Sequence, residues 1–98
     1  MRFKMTKINL LGIGIPEAGY CVGTDGNKRG TILYVDKDEM GESHLVVAQG
    51  KVSLVNKTAI IYESRWAENK KEWDWAIKIL IREGLLKSKD ELYDVFLN

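Results

Sequence analysis

The residues most suggestive of ligand chemistry are the glycines of the segment GIGIPEAGY, which begins at Gly12. Gly12 and Gly14 match the start of a G-x-G-x-x-G loop, in which the amino end of a helix holds a pyrophosphate. Glu17 occupies the third glycine position, where its carboxylate repels phosphate, and the residues that follow leave no room for a helix. The sequence therefore predicts a structural bend at Pro16. A ligand loop with Glu17 and Tyr20 at its rim stays open as the alternative.

A second group of residues that could take part in catalysis surrounds the only histidine, His44, which follows Glu42 and Ser43. Serine, histidine and an acid make up a hydrolase triad, but a triad is assembled from distant segments, and adjacent residues of a strand point to opposite sides. The pattern favours a solvated histidine at the start of a strand. The alternative is an enzyme in which His44 works with Cys21 or a carboxylate. The apolar neighbours of Cys21 indicate a buried, unreactive thiol.

The acidic segment DKDEMGE, which begins at Asp36, matches a calcium loop only in part. Gly41 stands at the sixth position, but Met40 and Val47 occupy positions five and twelve, where such a loop needs ligands. The segment therefore predicts a solvated hairpin loop. A single cysteine allows neither an internal disulfide nor a multi-cysteine metal site, so we expect no metal, no cofactor and a reducing, cytoplasmic setting.

The bulk composition is that of one globular domain, residues 1–98, because 98 residues with 45% hydrophobic and 30% charged residues suffice for a single core. Fifteen Lys and Arg against fourteen Asp and Glu leave a net charge of +1. This balance provides no field that steers nucleic acid or an anionic membrane. No segment reaches the ~20 apolar residues that span a bilayer, and the first residues do not read as an export signal.

The first two thirds of the chain, residues ~6–63, predict five or six short strands. Apolar runs such as TILYVD, HLVVAQ and TAIIYE are separated by turn segments such as TDGNKRG. Asn56 and Lys57 suggest a two-residue hairpin between the last two runs. Adjacent apolar residues in LVV and AII indicate strands covered on both faces, by the sheet interior on one side and by a helix or a second subunit on the other. We predict an α+β fold with a small curved antiparallel sheet or barrel.

A change of hydrophobic period from two to 3.6 predicts a helix at residues ~70–83 after the strands. Asn69 and Glu72 form a capping box at its start, and Gly84 suits its end. The apolar stripe of this helix is predicted to contain Trp66, Trp73, Ala76, Ile77, Leu80 and Ile81. A second, short helix at residues ~89–97 is too short to be stable without docking on the rest of the protein.

An exposed tryptophan on the helix is the clearest sign of an interface. Trp75 lies roughly 160° round the helix from Trp73, away from the apolar stripe and next to Ile79. An exposed pair of this kind is typical of a protein-binding surface. The alternative is that the terminal helix, through Leu92 and Phe96, folds back and covers the pair.

These residues favour a non-enzymatic interaction module that self-associates and acts as an inhibitor or accessory factor of a partner protein. The first alternative is a protein that binds a small nucleotide-like anion. The site for that anion would consist of Gly14, Glu17, Tyr20, Arg29 and Arg65. The second alternative is single-stranded nucleic-acid binding through a strand face with Tyr20, Tyr34, Lys28 and Arg29. The sequence forms no basic stripe, which places nucleic acid below protein binding.

Overall fold

The computed structural model describes residues 5–24, 29–84, 86–88 and 92, which form a small barrel and one helical segment. The strands are β1 (Thr6–Leu11), β2 (Ala18–Thr24), β3 (Arg29–Lys37), β4 (Ser43–Ser53) and β5 (Thr58–Trp66). A 3₁₀ turn, Lys70–Trp73, leads into the helix α1, Asp74–Arg82. The predicted α+β fold is confirmed, with five strands and with the sheet closed into a barrel.

The barrel closes through a parallel contact between its first and last strands. Consecutive strands pair antiparallel, and β1 pairs in parallel with β5. An up-and-down barrel with an odd number of strands must close in this way, because its first and last strands run in the same direction. The closing ladder is short and joins residues 9–11 to residues 58–60. Residues 61–66 of β5, named here the β5 extension, continue past this ladder alongside β4.

Apolar side chains are buried in two clusters on opposite faces of β3 and β4. The barrel interior contains Ile8, Leu10, Cys21, Ile32, Tyr34, Val46, Ala48, Val52 and Ala59. The outer cluster, beneath α1, contains Tyr20, Leu33, Leu45, Val47, Ala76, Ile77, Leu80, Leu86 and Leu92. The prediction that both faces of the LVV strand are covered is confirmed, and α1 is the element that covers the outer face. The corresponding prediction for the AII run, which allowed a second subunit as the cover, stays a prediction at Ile60, whose side chain is about half exposed in the single chain.

The glycine segment forms the loop between β1 and β2. The strand ends at Leu11, and Gly14 takes a left-handed conformation with φ of +76°. The Leu10 N–H donates to the Glu17 carbonyl at 2.9 Å and closes the loop. The predicted structural bend is confirmed. The loop between β4 and β5 differs from its prediction, because it spans residues 54–57 and not two residues alone, with Lys57 at φ of +55°.

Both predicted ends of the first helix are present. The Asn69 side chain accepts a hydrogen bond from the Lys71 N–H at 3.0 Å, although the first turn is 3₁₀ and not α. Gly84 takes a left-handed φ of +83° directly after α1, and its N–H donates to the Ile81 carbonyl at 3.1 Å. In the part of the chain that the structure describes, no helix is long and apolar enough to cross a membrane.

The predicted terminal helix falls almost wholly outside the described residues, as does Phe96. At the one described position within it, Leu92, the backbone forms an isolated parallel bridge with Ser43. Leu92 itself therefore lies in a bridge and not in a helix, and the other residues of the predicted helix lie outside the described part of the chain. The Leu92 side chain is buried in the outer cluster.

Candidate interaction surface

The predicted interface on α1 is largely covered. Trp75 and Ile79 are half-buried, and Trp75 packs against the outer cluster beside Trp73, with the ring centroids 6.2 Å apart. Leu86 and Leu92, which follow the helix, are buried in the same cluster. Whether the terminal segment covers Trp75 and Ile79 stays a prediction, because Phe96 lies outside the described residues. An interaction surface must be sought elsewhere on the barrel.

Exposed apolar side chains concentrate where α1 does not reach. The large exposed hydrophobic residues are Leu11, Ile13, Met40, Leu54, Val55, Ile60, Tyr62 and Trp66. Five of them lie on β1, on the loop that follows it and on β5. The four other than Trp66 are named here the β1–β5 patch: Leu11, Ile13, Ile60 and Tyr62. Within the patch, Leu11 and Ile60 are register partners in the closing ladder and are 48% and 49% exposed. Adjacent half-exposed aliphatic side chains form an apolar surface rather than isolated residues.

A β-bulge separates the closing ladder from the β5 extension. The register between β4 and β5 shifts after Gln49, so that Gly50 pairs with Ile61 while Gln49 pairs with Glu63. Tyr62 is the extra residue, and its side chain is 58% exposed. Glycine is required at position 50 because a Cβ there would overlap the Ile60 carbonyl oxygen. Bulges bend a strand and increase its twist, so this one redirects β5 at the point where β1 ends.

The β5 extension is an exposed strand edge. Residues 62–66 are all exposed, and β4 pairs with this segment along one side. Within residues 5–24, 29–84, 86–88 and 92, no strand pairs with the other side of the extension. An edge of this kind presents backbone N–H and C=O groups in the pattern that another strand can pair with. Its position beside the β1–β5 patch combines a hydrogen-bonding edge with an apolar surface.

Two of the predicted ligand residues, Arg29 and Arg65, lie on neighbouring open grooves of β3, β4 and β5. Each groove has a volume of about 360 Å³. Gln49 and Glu63 line both grooves, and the Gln49 amide donates to the Thr31 hydroxyl at 3.0 Å. The Glu63 carboxylate shares the grooves with the two guanidinium groups, which makes this surface mixed in charge rather than basic.

The remaining predicted ligand residues are not brought to the grooves. Gly14 and Glu17 are exposed on the loop between β1 and β2. Tyr20 is buried in the outer cluster, where burial and the nearby Glu83 carboxylate raise the pKa of its hydroxyl. Tyr34 is buried in the barrel interior, so neither tyrosine can stack on a base as the nucleic-acid alternative requires. Lys28, the cation of that alternative, lies outside the described residues.

The predicted solvated position of His44 is wrong, because its side chain is buried with only 3% exposure. Its Nε2 donates to the Asp38 carboxylate at 2.7 Å, since an ionised carboxylate can only accept. Trp66 covers the imidazole in a stacked contact, with ring centroids 3.8 Å apart. Trp66 is the last residue of β5. Its predicted place on the apolar stripe of the helix is therefore also wrong.

Asp38 organises the hairpin loop between β3 and β4. Its Oδ1 accepts from the backbone N–H groups of Met40 and Glu42, each at 2.9 Å. The hydrogen bond from His44, followed by those from the backbone, holds the pKa of the Asp38 carboxyl below its ordinary value. The predicted hairpin loop is confirmed. Among the described residues, no group of three or more His, Cys, Asp or Glu side chains is arranged to hold a metal ion.

The single cysteine belongs to the barrel interior. Cys21 is buried, and its thiol donates to the Gly23 carbonyl at 3.6 Å. Burial raises the pKa of this thiol, which keeps it protonated. The predicted buried thiol is confirmed, and a protonated thiol is a poor nucleophile.

Sequence reasoning missed most of this surface: the four residues of the β1–β5 patch, Ser64 on the strand edge, and Glu63 in the grooves. Their positions depend on the bulge and on where β1 stops pairing, and neither is visible in a single sequence. No family model, curated protein or solved structure matches this chain. The functional conclusion therefore rests on the surface itself.

Proposed function

We propose that the protein is a non-enzymatic protein-interaction module that binds through the β1–β5 patch and the β5 extension. The observation that carries this proposal is the position of the exposed Leu11–Ile60 pair directly before an exposed strand edge. An extended partner segment can add to such an edge by backbone hydrogen bonds, while the adjacent apolar side chains add affinity. The outer face of β3 and β4 is covered by α1. The β1–β5 patch and the β5 extension are not covered in this way, and we assign the binding side to them.

Self-association is the simplest role for this surface. The same surface could instead bind a different protein, which the module would then inhibit or assist. Each role requires only that this surface is buried against the bound protein, and neither role requires a reactive side chain. The chemistry at Cys21 and His44 supports this choice, because the thiol is buried in the interior and the imidazole is enclosed by Asp38 and Trp66. The free thiol fits a reducing compartment, and we assign the module to the cytoplasm.

Sedimentation velocity over a range of concentrations tests the proposed function. The wild-type chain should show a concentration-dependent rise in weight-average mass, and the double variant Ile60→Ser/Tyr62→Ser should remain monomeric because it loses apolar contact area. Both side chains are exposed, so the variant should keep its fold, which circular dichroism checks.

The matched control is Leu54→Ser/Val55→Ser, which removes two exposed apolar side chains from the loop between β4 and β5. This control should associate as the wild type does. A wild-type chain that stays monomeric at its highest attainable concentration would contradict self-association. Equal effects of the two double variants would contradict the assignment to the β1–β5 patch.

A second candidate function, binding of a small anion, is supported by Arg29 and Arg65 on adjoining grooves. Glu63 opposes it, because its carboxylate lies on both grooves. Thermal shift with ATP and pyrophosphate tests this candidate, since a ligand of the folded state raises the melting temperature. Glu63→Gln should enlarge the shift and Arg65→Gln should abolish it. The absence of a shift in wild type and Glu63→Gln would exclude the candidate.

A further inference from the structure

We propose that two copies of the chain pair through antiparallel β5 extensions, with Ser64 of each copy on a twofold axis. The inference rests on the proposed function and names the partner and its register. A second copy is favoured over a foreign strand because the sequence of the extension is complementary to itself. Tyr62 and Glu63 precede Ser64, and Arg65 and Trp66 follow it.

The charges of the edge fix one register. With Ser64 opposite Ser64 of the second copy, Glu63 lies opposite Arg65 of that copy, and the twofold axis repeats the pair. The same register sets Tyr62 opposite Trp66 of the second copy. Opposite charges and aromatic pairs stabilise directly facing positions of antiparallel strands, whereas like charges destabilise them.

Other registers lose these contacts. A slip of two residues in one direction sets Glu63 opposite Glu63 of the second copy. A slip of two residues in the other direction sets Arg65 opposite Arg65 of the second copy. A slip of one residue leaves both charges without a charged residue opposite. The charges on this edge therefore favour one register of pairing over the slipped registers. The contact is isologous and closes after two copies, so it gives dimers and not filaments.

The surroundings of the extension permit this pairing. Glu63, Ser64 and Arg65 are exposed, and β4 occupies the opposite edge. Beyond the closing ladder, the described part of β1 does not run beside the extension. Pairing would join β3, β4 and β5 of both copies into one sheet. It would also bring the β1–β5 patches toward the dimer contact, since Tyr62 belongs to both.

Charge exchange provides the test, read by sedimentation equilibrium. Glu63→Arg sets arginine opposite Arg65 at two symmetric places, and Arg65→Glu sets glutamate opposite Glu63. The dimer dissociation constant of each single variant should be higher than that of wild type by about tenfold or more. An equimolar mixture of the two should form heterodimers with both charge pairs restored, and Glu63→Arg/Arg65→Glu should dimerise as wild type does.

Disulfide capture tests the register independently. Facing residues of antiparallel strands have Cα atoms roughly 4.5–5.5 Å apart, within the range that a disulfide spans. Ser64→Cys should therefore give a covalent dimer on mild oxidation. Wild type controls for Cys21, which is buried, and Lys51→Cys on β4 controls for random collision of exposed thiols. Neither control should cross-link.

The two proposals fail differently. If wild type dimerises but the variant mixture does not recover and Ser64→Cys does not cross-link, the register is wrong while the proposed function stands. If wild type is monomeric throughout, both fail. Recovery in the mixture together with capture by Ser64→Cys establishes the twofold pairing.

Discussion

The indole of Trp66 lies flat on the imidazole of His44, with ring centroids 3.8 Å apart and an angle of 11° between the ring planes. The contact joins the end of β5 to the start of β4, and His44 in turn binds Asp38 in the preceding hairpin loop. Three side chains from three segments thus hold the far end of the β5 extension. An edge held in one conformation loses less entropy when a second strand pairs with it.

Removal of the indole should loosen this end of the sheet. Trp66→Ala is expected to lower the free energy of unfolding by about 1 kcal/mol or more, because it loses an aromatic contact and exposes His44. Trp66→Phe keeps a ring over His44 and should lose less. Urea denaturation at low protein concentration, where dimerisation does not contribute, measures both. Equal stability of the alanine and phenylalanine variants would show that the stacked contact does not stabilise the fold.

Asp38 should make stability depend on acid pH. Its hydrogen bonds to His44 and to the backbone of Glu42 lower the pKa of the folded-state carboxyl. The stabilisation is therefore complete above the unfolded-state pKa, about 3.9, and is lost as the pH falls through the folded-state value. Asp38→Asn should be less stable than wild type at pH 7, and the difference should shrink below about pH 4.

Urea denaturation from pH 7 to pH 3 measures this difference. Asp36→Asn is the matched control, because Asp36 precedes the same loop and accepts a hydrogen bond from the backbone N–H of the adjacent Lys37. A stability difference for Asp38→Asn that stays constant down to pH 3 would contradict the assigned role of the ionised carboxylate.

Gly50 should tolerate no side chain. A Cβ at this position would overlap the Ile60 carbonyl oxygen across the bulge, so Gly50→Ala is expected to cost about 1–3 kcal/mol or to prevent folding. Gly23→Ala is the control, since no atom lies within 4 Å of its added Cβ. Thermal unfolding of the two variants measures the difference. Equal melting temperatures would mean that β4 and β5 do not approach closely at the bulge.

Cys21 should react slowly in the folded protein. Burial raises the pKa of the thiol, and only the thiolate is an effective nucleophile. A disulfide reagent at pH 8 should therefore modify Cys21 much more slowly in buffer than in denaturant, whereas an exposed thiol such as that of Lys51→Cys should react fast in both. Rapid modification of wild type in buffer would place Cys21 outside the barrel interior.

Local patterns predicted the elements that depend on neighbouring residues. The change of period located the helical segment, Asn69 marked the start of its 3₁₀ turn, Gly84 marked the end of α1, and the apolar runs located the strands. The covered outer face of β4 was also predictable, because adjacent apolar residues in LVV cannot all point to one side of a strand.

The errors arose where distant segments meet. Trp66 is seven residues before Trp73, a helical spacing, yet it belongs to a strand because it pairs with Val46. His44 was expected in solvent because the indole that covers it is 22 positions away in the sequence. The edge at Glu63 could not be predicted, since it depends on the length of the β1 ladder and on the bulge at Gly50.

Hydrogen exchange of the β5 extension measures the proposed pairing most directly. The amides of residues 61–66 that face away from β4 should exchange slowly at high protein concentration and rapidly after dilution, because a second copy binds them only in the dimer. Glu63→Arg should show rapid exchange at both concentrations. Exchange of these amides at one rate in wild type, whatever the concentration, would contradict pairing through this edge.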